Sequence, residues 1–144
     1  MTRQNLPTFA ETRDDIGKGA YVLWDPPGSR PSELDGILVA TGSEVAIAYE
    51  AAKALHAQGK AVRVVSMPCW EAFEAQPQAW QDEVLPPSIT RRMSVEAGVT
   101  LGWQRWCAHQ HGLDRFGASA PGEDVAREFG FTPDAVVEHW LRLP

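Results

Sequence analysis

The feature of the sequence that most constrains the fold is a strand pattern, a helix pattern and a second strand pattern in direct succession. Residues 36–40 form a continuous apolar run, Gly-Ile-Leu-Val-Ala, which is typical of a strand covered on both faces of a parallel sheet. Apolar side chains then recur at helical spacing from Val45 to Leu55, and residues 61–67 again have the composition of a strand. This order predicts a β-α-β unit with a right-handed crossover, and therefore an α/β fold.

The helix between these two strands has sequence signals at both ends. Thr41-Gly42-Ser43-Glu44 has the spacing of a capping box, so we expect the Thr41 hydroxyl to accept a hydrogen bond from the backbone of Glu44 and the Glu44 carboxylate to reach back. Gly59 offers the left-handed conformation in which helices commonly end.

Further elements are predicted on both sides of this unit. The sequence predicts strands at residues 20–24 and 91–96. It also predicts one or two short helices over residues 70–80, interrupted at Pro77, and a short helix over residues 101–107. Thr132-Pro133-Asp134 predicts the start of a last helix over residues 135–143. Residues 1–18 mix polar groups with Pro7 and show neither strand alternation nor a sustained helical stripe, which predicts a linker or tail and leaves residues 19–144 as one domain.

The charge of the chain argues against two classes of partner. With a formal net charge of -6 and a pI near 5.1, the chain would be repelled by nucleic acids and by anionic membranes. Its apolar runs are only a few residues long, and the first residues lack the apolar stretch of a secretory signal. We therefore expect a cytoplasmic protein whose partners are proteins or small molecules.

Gly42 and Ser43 are the candidate ligand-binding residues. They follow a predicted strand and open a predicted helix, a place where free backbone N–H groups and the helix dipole can hold a small anion. The loop has neither a dinucleotide-binding nor a P-loop signature, and a capping box would occupy the same donors. A structural cap is therefore favoured, with an anion site as the alternative.

Cys107, His109 and His111 have the residue types of zinc ligands. On a strand their side chains would share one face, but no fourth ligand is evident, so a surface loop with two histidines is favoured and no metal is expected. Cys69 is too far away for a C-x-x-C arrangement. None of the four histidines has a partner that sequence alone would place nearby, so we assign no catalytic residue.

Six short motifs follow one another along the chain in the order found in one enzyme family. They are Thr-Arg-Gln-Asn-Leu-Pro at residues 2–7, Ala-Thr-Gly-Ser-Glu-Val at 40–45, Val-Val-Ser-Met-Pro at 64–68, Val-Leu-Pro at 84–86, Val-Glu-Ala-Gly at 95–98 and Phe-Gly-Ala-Ser-Ala-Pro at 116–121. Together they resemble the C-terminal region of transketolase. The resemblance implies a three-layer α/β/α sandwich around a five-stranded, mostly parallel, Rossmann-like sheet, as the third domain of a longer dimeric enzyme.

Transketolase transfers a two-carbon ketol unit from a ketose phosphate to an aldose phosphate, using chemistry that thiamine diphosphate supplies. The resemblance implies that two preceding domains bind this cofactor and its divalent metal, because the family's Gly-Asp-Gly segment and its activating glutamate have no counterpart here. Arg3 matches the family arginine that grips the sugar phosphate, although in an isolated chain a solvated tail residue is favoured. The chain alone is therefore expected to hold no cofactor and to be inactive.

Two functional hypotheses follow from these features. In the first, the chain is the structural, dimer-supporting domain of a transketolase-like transferase, either fused to the missing domains or paired with them as a split subunit. In the second, it is a free-standing module that binds a small anion or a protein. The tryptophans, Trp103 and Trp106 among them, could either pack in the core against the sheet or form an apolar surface for a partner, and the sequence does not favour one over the other. On the second interpretation we expect a weak homodimer through the surface near Trp103 and Trp106. The stretch at residues 104–115 is shorter than the corresponding stretch of the family, so we expect the last strand of the sheet to be very short or absent.

Overall fold

The computed structural model describes residues 7–9, 14–115 and 122–144. Five strands and five α-helices lie within these residues, and three short 3-10 helices connect them. The strands are β1 (Tyr21–Trp24), β2 (Gly36–Ala40), β3 (Val62–Ser66), β4 (Arg92–Val95) and β5 (His109–His111). The α-helices are α1 (Glu44–Ala57), α2 (Trp70–Glu74), α3 (Gln78–Val84), α4 (Gly122–Glu128) and α5 (Pro133–Arg142), and the 3-10 helices are Asp14–Lys18, Pro31–Glu33 and Trp103–Arg105.

The five strands form one mixed sheet in the order β1-β3-β2-β4-β5. Strand β2 lies at the centre and pairs in parallel with β3 on one side and with β4 on the other. Strand β5 continues the parallel pairing beyond β4, whereas β1 pairs with β3 in the antiparallel direction. The predicted five-stranded, mostly parallel sheet is confirmed.

Alternate residues of the central strand reach two separate cores, because successive side chains of a strand point to opposite faces. Leu38 and Ala40 pack in one core together with buried residues of α1 and α5. Ile37 and Val39 pack in the other core, with Phe73 of α2 and with residues of α3. Helices therefore cover both faces of the sheet, which confirms the three-layer α/β/α sandwich.

Of the two longest helices, the start of α5 is predicted correctly from the sequence and the start of α1 is not. Helix α5 begins as expected, with the Thr132 hydroxyl accepting a hydrogen bond from Ala135 N at 3.3 Å and proline at the first helical position. At α1 the predicted capping box is wrong. The N-cap is Ser43, whose hydroxyl donates to the neighbouring Glu44 carboxylate at 2.7 Å, and only the backbone oxygen of Thr41 accepts from Glu44 N.

The shortened region before the last helix contains a strand and a buried tryptophan. Strand β5 has three residues and pairs with β4, so the last strand is present but very short. Trp103 is only 3% exposed, and its ring centroid lies 5.0 Å from that of Trp70. The interpretation of Trp103 as part of an exposed interface is therefore wrong, because neighbours within the same chain already cover it. The weak homodimer itself stays a prediction.

Part of the N-terminal segment packs against the domain. Phe9 lies edge-on to Tyr49 of α1, with ring centroids 5.2 Å apart. The Lys18 ammonium is paired with Asp15 at 2.8 Å and stands 3.6 Å from the centre of the Trp80 ring. Arg3 and the motif at residues 116–121 lie outside the described residues, and the division of the chain at residue 18 stays a prediction.

Strand β3 carries one charged residue among its buried side chains. Arg63 is 3% exposed, and its guanidinium donates to both carboxylate oxygens of Asp25 at 2.7 and 2.8 Å. The same guanidinium donates to the backbone oxygens of Glu83 and Val84 at 2.6 and 3.1 Å. Because all of these bonds come from one side chain, Arg63 joins the end of β1 to the end of α3.

Replacing this guanidinium should cost the domain much of its stability. We expect Arg63→Ala to lower the free energy of unfolding by about 3 kcal/mol, the lower end for a broken buried pair, because the Asp25 carboxylate keeps access to water. Arg30→Ala is the matched control, since Arg30 pairs with Glu33 in similar geometry on an exposed turn, and exposed pairs contribute little. Urea unfolding of both variants measures the difference, and equal losses would show that burial of Arg63 is unimportant.

Candidate functional site

The carboxyl ends of the central strands form the candidate site. The chain leaves β2 for β3 on one side, while β4 lies on the other side of β2. This arrangement creates a topological switch point between β2 and β4, where the loops that follow the two strands diverge and leave a crevice. Gly42 and Ser43 follow β2 at this edge, Pro68 follows β3, and Glu96 follows β4.

A pocket of about 230 Å³ lies at this edge, beside the N-terminus of α1. Gly42 and Ser43 line it, together with Ser66 at the end of β3 and Tyr21 at the start of β1. Pro7, Phe9 and Ile16 close one side of it with apolar groups. The pocket is thus largely apolar with a few hydroxyl groups, a composition found in small-molecule sites.

Two carboxylates give this edge an acidic character. Burial, and then the negative charge of Glu44, raise the pKa of Glu96 above its ordinary value. The Glu96 Oε2 atom is buried and has no hydrogen-bond partner within the described ranges. The negative charge of Glu44 that contributes to raising the pKa of Glu96 would also repel an anion near Ser43.

The predicted anion site at Gly42 and Ser43 thus has features for and against it. Without a capping box, no side chain of the described residues caps the first turn of α1, which leaves backbone donors for a ligand. Against the anion site, Glu44 lies in that first turn, and its negative charge acts on the carboxyl group of Glu96. The anion site stays a prediction, and the arrangement suits a polar but uncharged ligand better than a phosphate.

Neither cysteine has the environment of a catalytic nucleophile. Cys107 is 1% exposed, and burial raises the pKa of its thiol to about 12, although the positive charge of Arg92 opposes this change. A thiol in this environment stays protonated, and the protonated form is a poor nucleophile. Cys69 is exposed, and its thiol donates to the Glu71 carboxylate, with the sulfur and oxygen atoms 3.5 Å apart.

Two histidines that are far apart in the sequence meet in the structure. His111 on β5 and His139 on α5 face each other with their Nδ1 atoms 2.9 Å apart. His111 Nε2 lies 3.0 Å from the backbone oxygen of Gly130, and its ring packs edge-on against Phe131. No sequence pattern indicates this pair, because only the pairing of β5 with β4 and the packing of α5 bring the two residues together across 28 positions.

The environment favours the neutral form of both rings. Burial lowers the pKa of His111, and the hydrogen bond to Gly130 opposes this only in part. Burial, followed by the positive charges of His111, Arg142 and His109, lowers the pKa of His139. The interpretation of His109 and His111 as residues of a surface loop is wrong, since both belong to β5 and His111 is half-buried.

Metal binding and membrane insertion find no support in the parts of the chain that the structure describes. Within residues 7–9, 14–115 and 122–144, no three His, Cys, Asp or Glu side chains are grouped so that they could hold a metal ion. No helix in the same ranges combines the length and the apolar character needed to cross a membrane.

Comparison with known proteins gives one consistent match. The sequence model described as the transketolase-like C-terminal domain matches residues 19–132. The transketolase of Geobacillus stearothermophilus is 47% identical over 150 residues, which cover 99% of this chain and 22% of that protein. The chloroplastic transketolase of Solanum tuberosum is 45% identical, with 95% of this chain and 19% of that protein covered. The chain thus spans about a fifth of the length of these relatives.

Solved structures give the same result for the fold. A transketolase from Leishmania mexicana superposes with a TM-score of 0.86 at 40% identity, covering 97% of this chain and 20% of that chain. A protein described as a split gene transketolase, an inactive beta4 tetramer, superposes with a TM-score of 0.67 at 22% identity, covering 97% of this chain and 47% of that one. The second match supports the fold alone.

Proposed function

The chain belongs to the family of transketolase C-terminal domains, and on that premise we propose that it serves as the third domain of a transketolase-like enzyme. Such an enzyme transfers two-carbon ketol units between sugar phosphates. The observation that carries the proposal is coverage: nearly all of this chain aligns with about a fifth of each relative. Its role in that assembly is structural, in support of domain packing and dimer contacts.

The residues of this chain do not fit thiamine diphosphate. A bound diphosphate needs a divalent metal and the side chains that hold it, and the sequence contains no Gly-Asp-Gly segment. In the described ranges no group of acidic or histidine side chains could hold the metal, and the acidic edge at Glu44 and Glu96 would repel a diphosphate. The cofactor therefore belongs to the missing domains, which are the proposed partners in one chain or as a split subunit.

The loop after β4 supports the proposed packing against a partner. Val99 and Leu101 are 61% and 77% exposed, the largest exposures among the exposed large hydrophobic residues of the described chain. The loop that presents them is fixed, because the Thr100 amide and hydroxyl both donate to the Asp114 carboxylate at 2.8 Å and Leu113 N donates to Gly98 O at 2.7 Å. Apolar side chains on an ordered loop bury area on docking without a large entropic cost.

The alternative function is that of a free-standing binding module. The pocket at the carboxyl ends of β2 and β3 favours this alternative, because ligands of α/β proteins commonly bind at the carboxyl ends of the strands. In that case Gly42 and Ser43 would contact the ligand. In the transferase, Arg3 would instead contact the sugar phosphate of the full enzyme.

Calorimetric titration of the purified chain with thiamine diphosphate and Mg²⁺ tests the proposed function. We expect no heat of binding and no ketol transfer, since the cofactor contacts lie on other domains. The intact transketolase of Geobacillus stearothermophilus, titrated in parallel, is the positive control. Micromolar binding of the cofactor by this chain would contradict the assignment of cofactor binding to the missing domains.

A further inference from the structure

The hydrogen-bond pattern at His111 and His139 fixes the position of each proton. The backbone oxygen of Gly130 can only accept, so the His111 Nε2 atom at 3.0 Å must carry a hydrogen. Neutral His111 then presents a lone pair at Nδ1. His139 must therefore donate from its own Nδ1, 2.9 Å away, and the two rings hold opposite tautomers.

This arrangement limits how many protons the closed pair can hold. One proton can add at His139 Nε2 without breaking the bond between the rings. A second proton would have to add at His111 Nδ1, which would place two donors and two positive charges 2.9 Å apart. The two rings therefore cannot both be protonated while their Nδ1 atoms stay hydrogen-bonded to each other.

The charged groups around the pair do not relieve this conflict. On β5 the neighbour is His109, and on α5 it is Arg142, which is itself paired with Glu138 at 2.8 Å. Glu96 and Asp114 are the carboxylates on the adjoining segments. Asp114 is engaged by Thr100, and neither carboxylate bonds to either ring within the described ranges.

We propose that His111 and His139 form a proton-sensitive latch that holds the edge strand β5 against helix α5 at neutral pH and opens on acidification. The latch connects a three-residue edge strand to the last helix and to the turn at Gly130. Opening frees both rings to take up protons. This inference does not depend on the proposed function, because it rests on the geometry of this chain alone.

The sign of the pH dependence follows from linkage. Both histidines have their pKa lowered in the closed state, so the open state binds more protons once the pH falls below the ordinary histidine value of about 6.5. The latch is fully closed above that value and weakens as the pH falls toward the lowered pKa values. The opening constant should rise about tenfold per pH unit for each proton taken up on opening.

Nuclear magnetic resonance of the 144-residue chain, with a metal chelator present, tests the latch directly. Long-range nitrogen–proton correlations at neutral pH should show the Nε2–H tautomer for His111 and the Nδ1–H tautomer for His139. Hydrogen exchange at Glu96 N, bonded to His111 O, and at Leu113 N, bonded to Gly98 O, should report more frequent opening as the pH falls. Identical tautomers in the two rings, or opening that ignores pH, would overturn the proposal.

Two variants of one residue separate the latch from simple packing. In His139→Asn the side-chain amide keeps a donor near the Nδ1 position but does not titrate, so protection at neutral pH is retained and its acid dependence becomes less steep. In His139→Ala the donor is gone, so protection is already lost at neutral pH. His56→Asn, on the exposed face of α1, is the control and should behave as wild type. Equal protection in the Asn and Ala variants would overturn the latch.

Discussion

Replacing Gly19 with alanine is expected to destabilise the domain by more than about 4 kcal/mol, or to prevent folding, because the added methyl group has no room. A Cβ atom at Gly19 would lie 2.2 Å from Phe73 N and 2.3 Å from Cys69 O, and both are backbone atoms that cannot rotate away. Gly19 also has a positive φ of 83°, and its carbonyl accepts a hydrogen bond from Cys69 N. The substitution would separate the start of β1 from α2.

Gly28 offers a control with nearly the same backbone conformation. Its φ is 80°, but nothing lies within 4 Å of the position that a Cβ atom would take. Gly28→Ala should therefore cost only the conformational strain of about 1 kcal/mol. Chemical denaturation of the two variants isolates the effect of the close approach. If both variants lose the same stability, the contact between Gly19 and α2 contributes nothing.

The parts of the fold that could be predicted are those encoded by local patterns. The run at residues 36–40 and the helical spacing of α1 identify β2, α1 and β3, because burial on both faces of a strand and on one face of a helix leaves a periodic pattern in the sequence. Thr132 and Pro133 likewise predicted the start of α5 correctly. These signals depend on neighbours a few residues away.

The parts that could not be predicted depend on contacts between distant segments. Asp25 and Arg63 are 38 positions apart, and only the antiparallel pairing of β1 with β3 brings them together. His111 and His139 also meet only through tertiary packing. Trp103 shows a further limit, because its apolar ring could equally suit the core or an interface, and the sequence does not say which surface covers it.

The second large effect is expected for enzyme activity. Because the chain belongs to the family of transketolase C-terminal domains, we expect it to replace the corresponding domain of the Geobacillus stearothermophilus enzyme, to which it is 47% identical. The buried residues of both cores lie within this chain, so the transplanted domain should fold as it does alone. We expect the chimera to transfer ketol units and the same enzyme truncated before this domain to have lost activity.

Leu101 provides a variant that reports on domain packing in this chimera. In the isolated chain Leu101→Ser should change stability by no more than about 0.5 kcal/mol, because the side chain is 77% exposed. In the chimera the same change should cost roughly 1.5–3 kcal/mol, the value of a buried leucine side chain. Leu141→Ser, on α5 and 44% exposed, is the matched control. Equal effects of Leu101→Ser in the two contexts would contradict docking through the loop after β4.

The measurement that tests the central claim most directly is the steady-state rate of ketol transfer by the chimera, compared with the parent and the truncated enzyme. We predict that the chimera retains kcat/KM within about tenfold of the parent, a loss of no more than about 1.4 kcal/mol of transition-state stabilisation. A chimera that folds and binds thiamine diphosphate, yet transfers no faster than the truncated enzyme, would contradict the assignment of this chain as a working transketolase C-terminal domain.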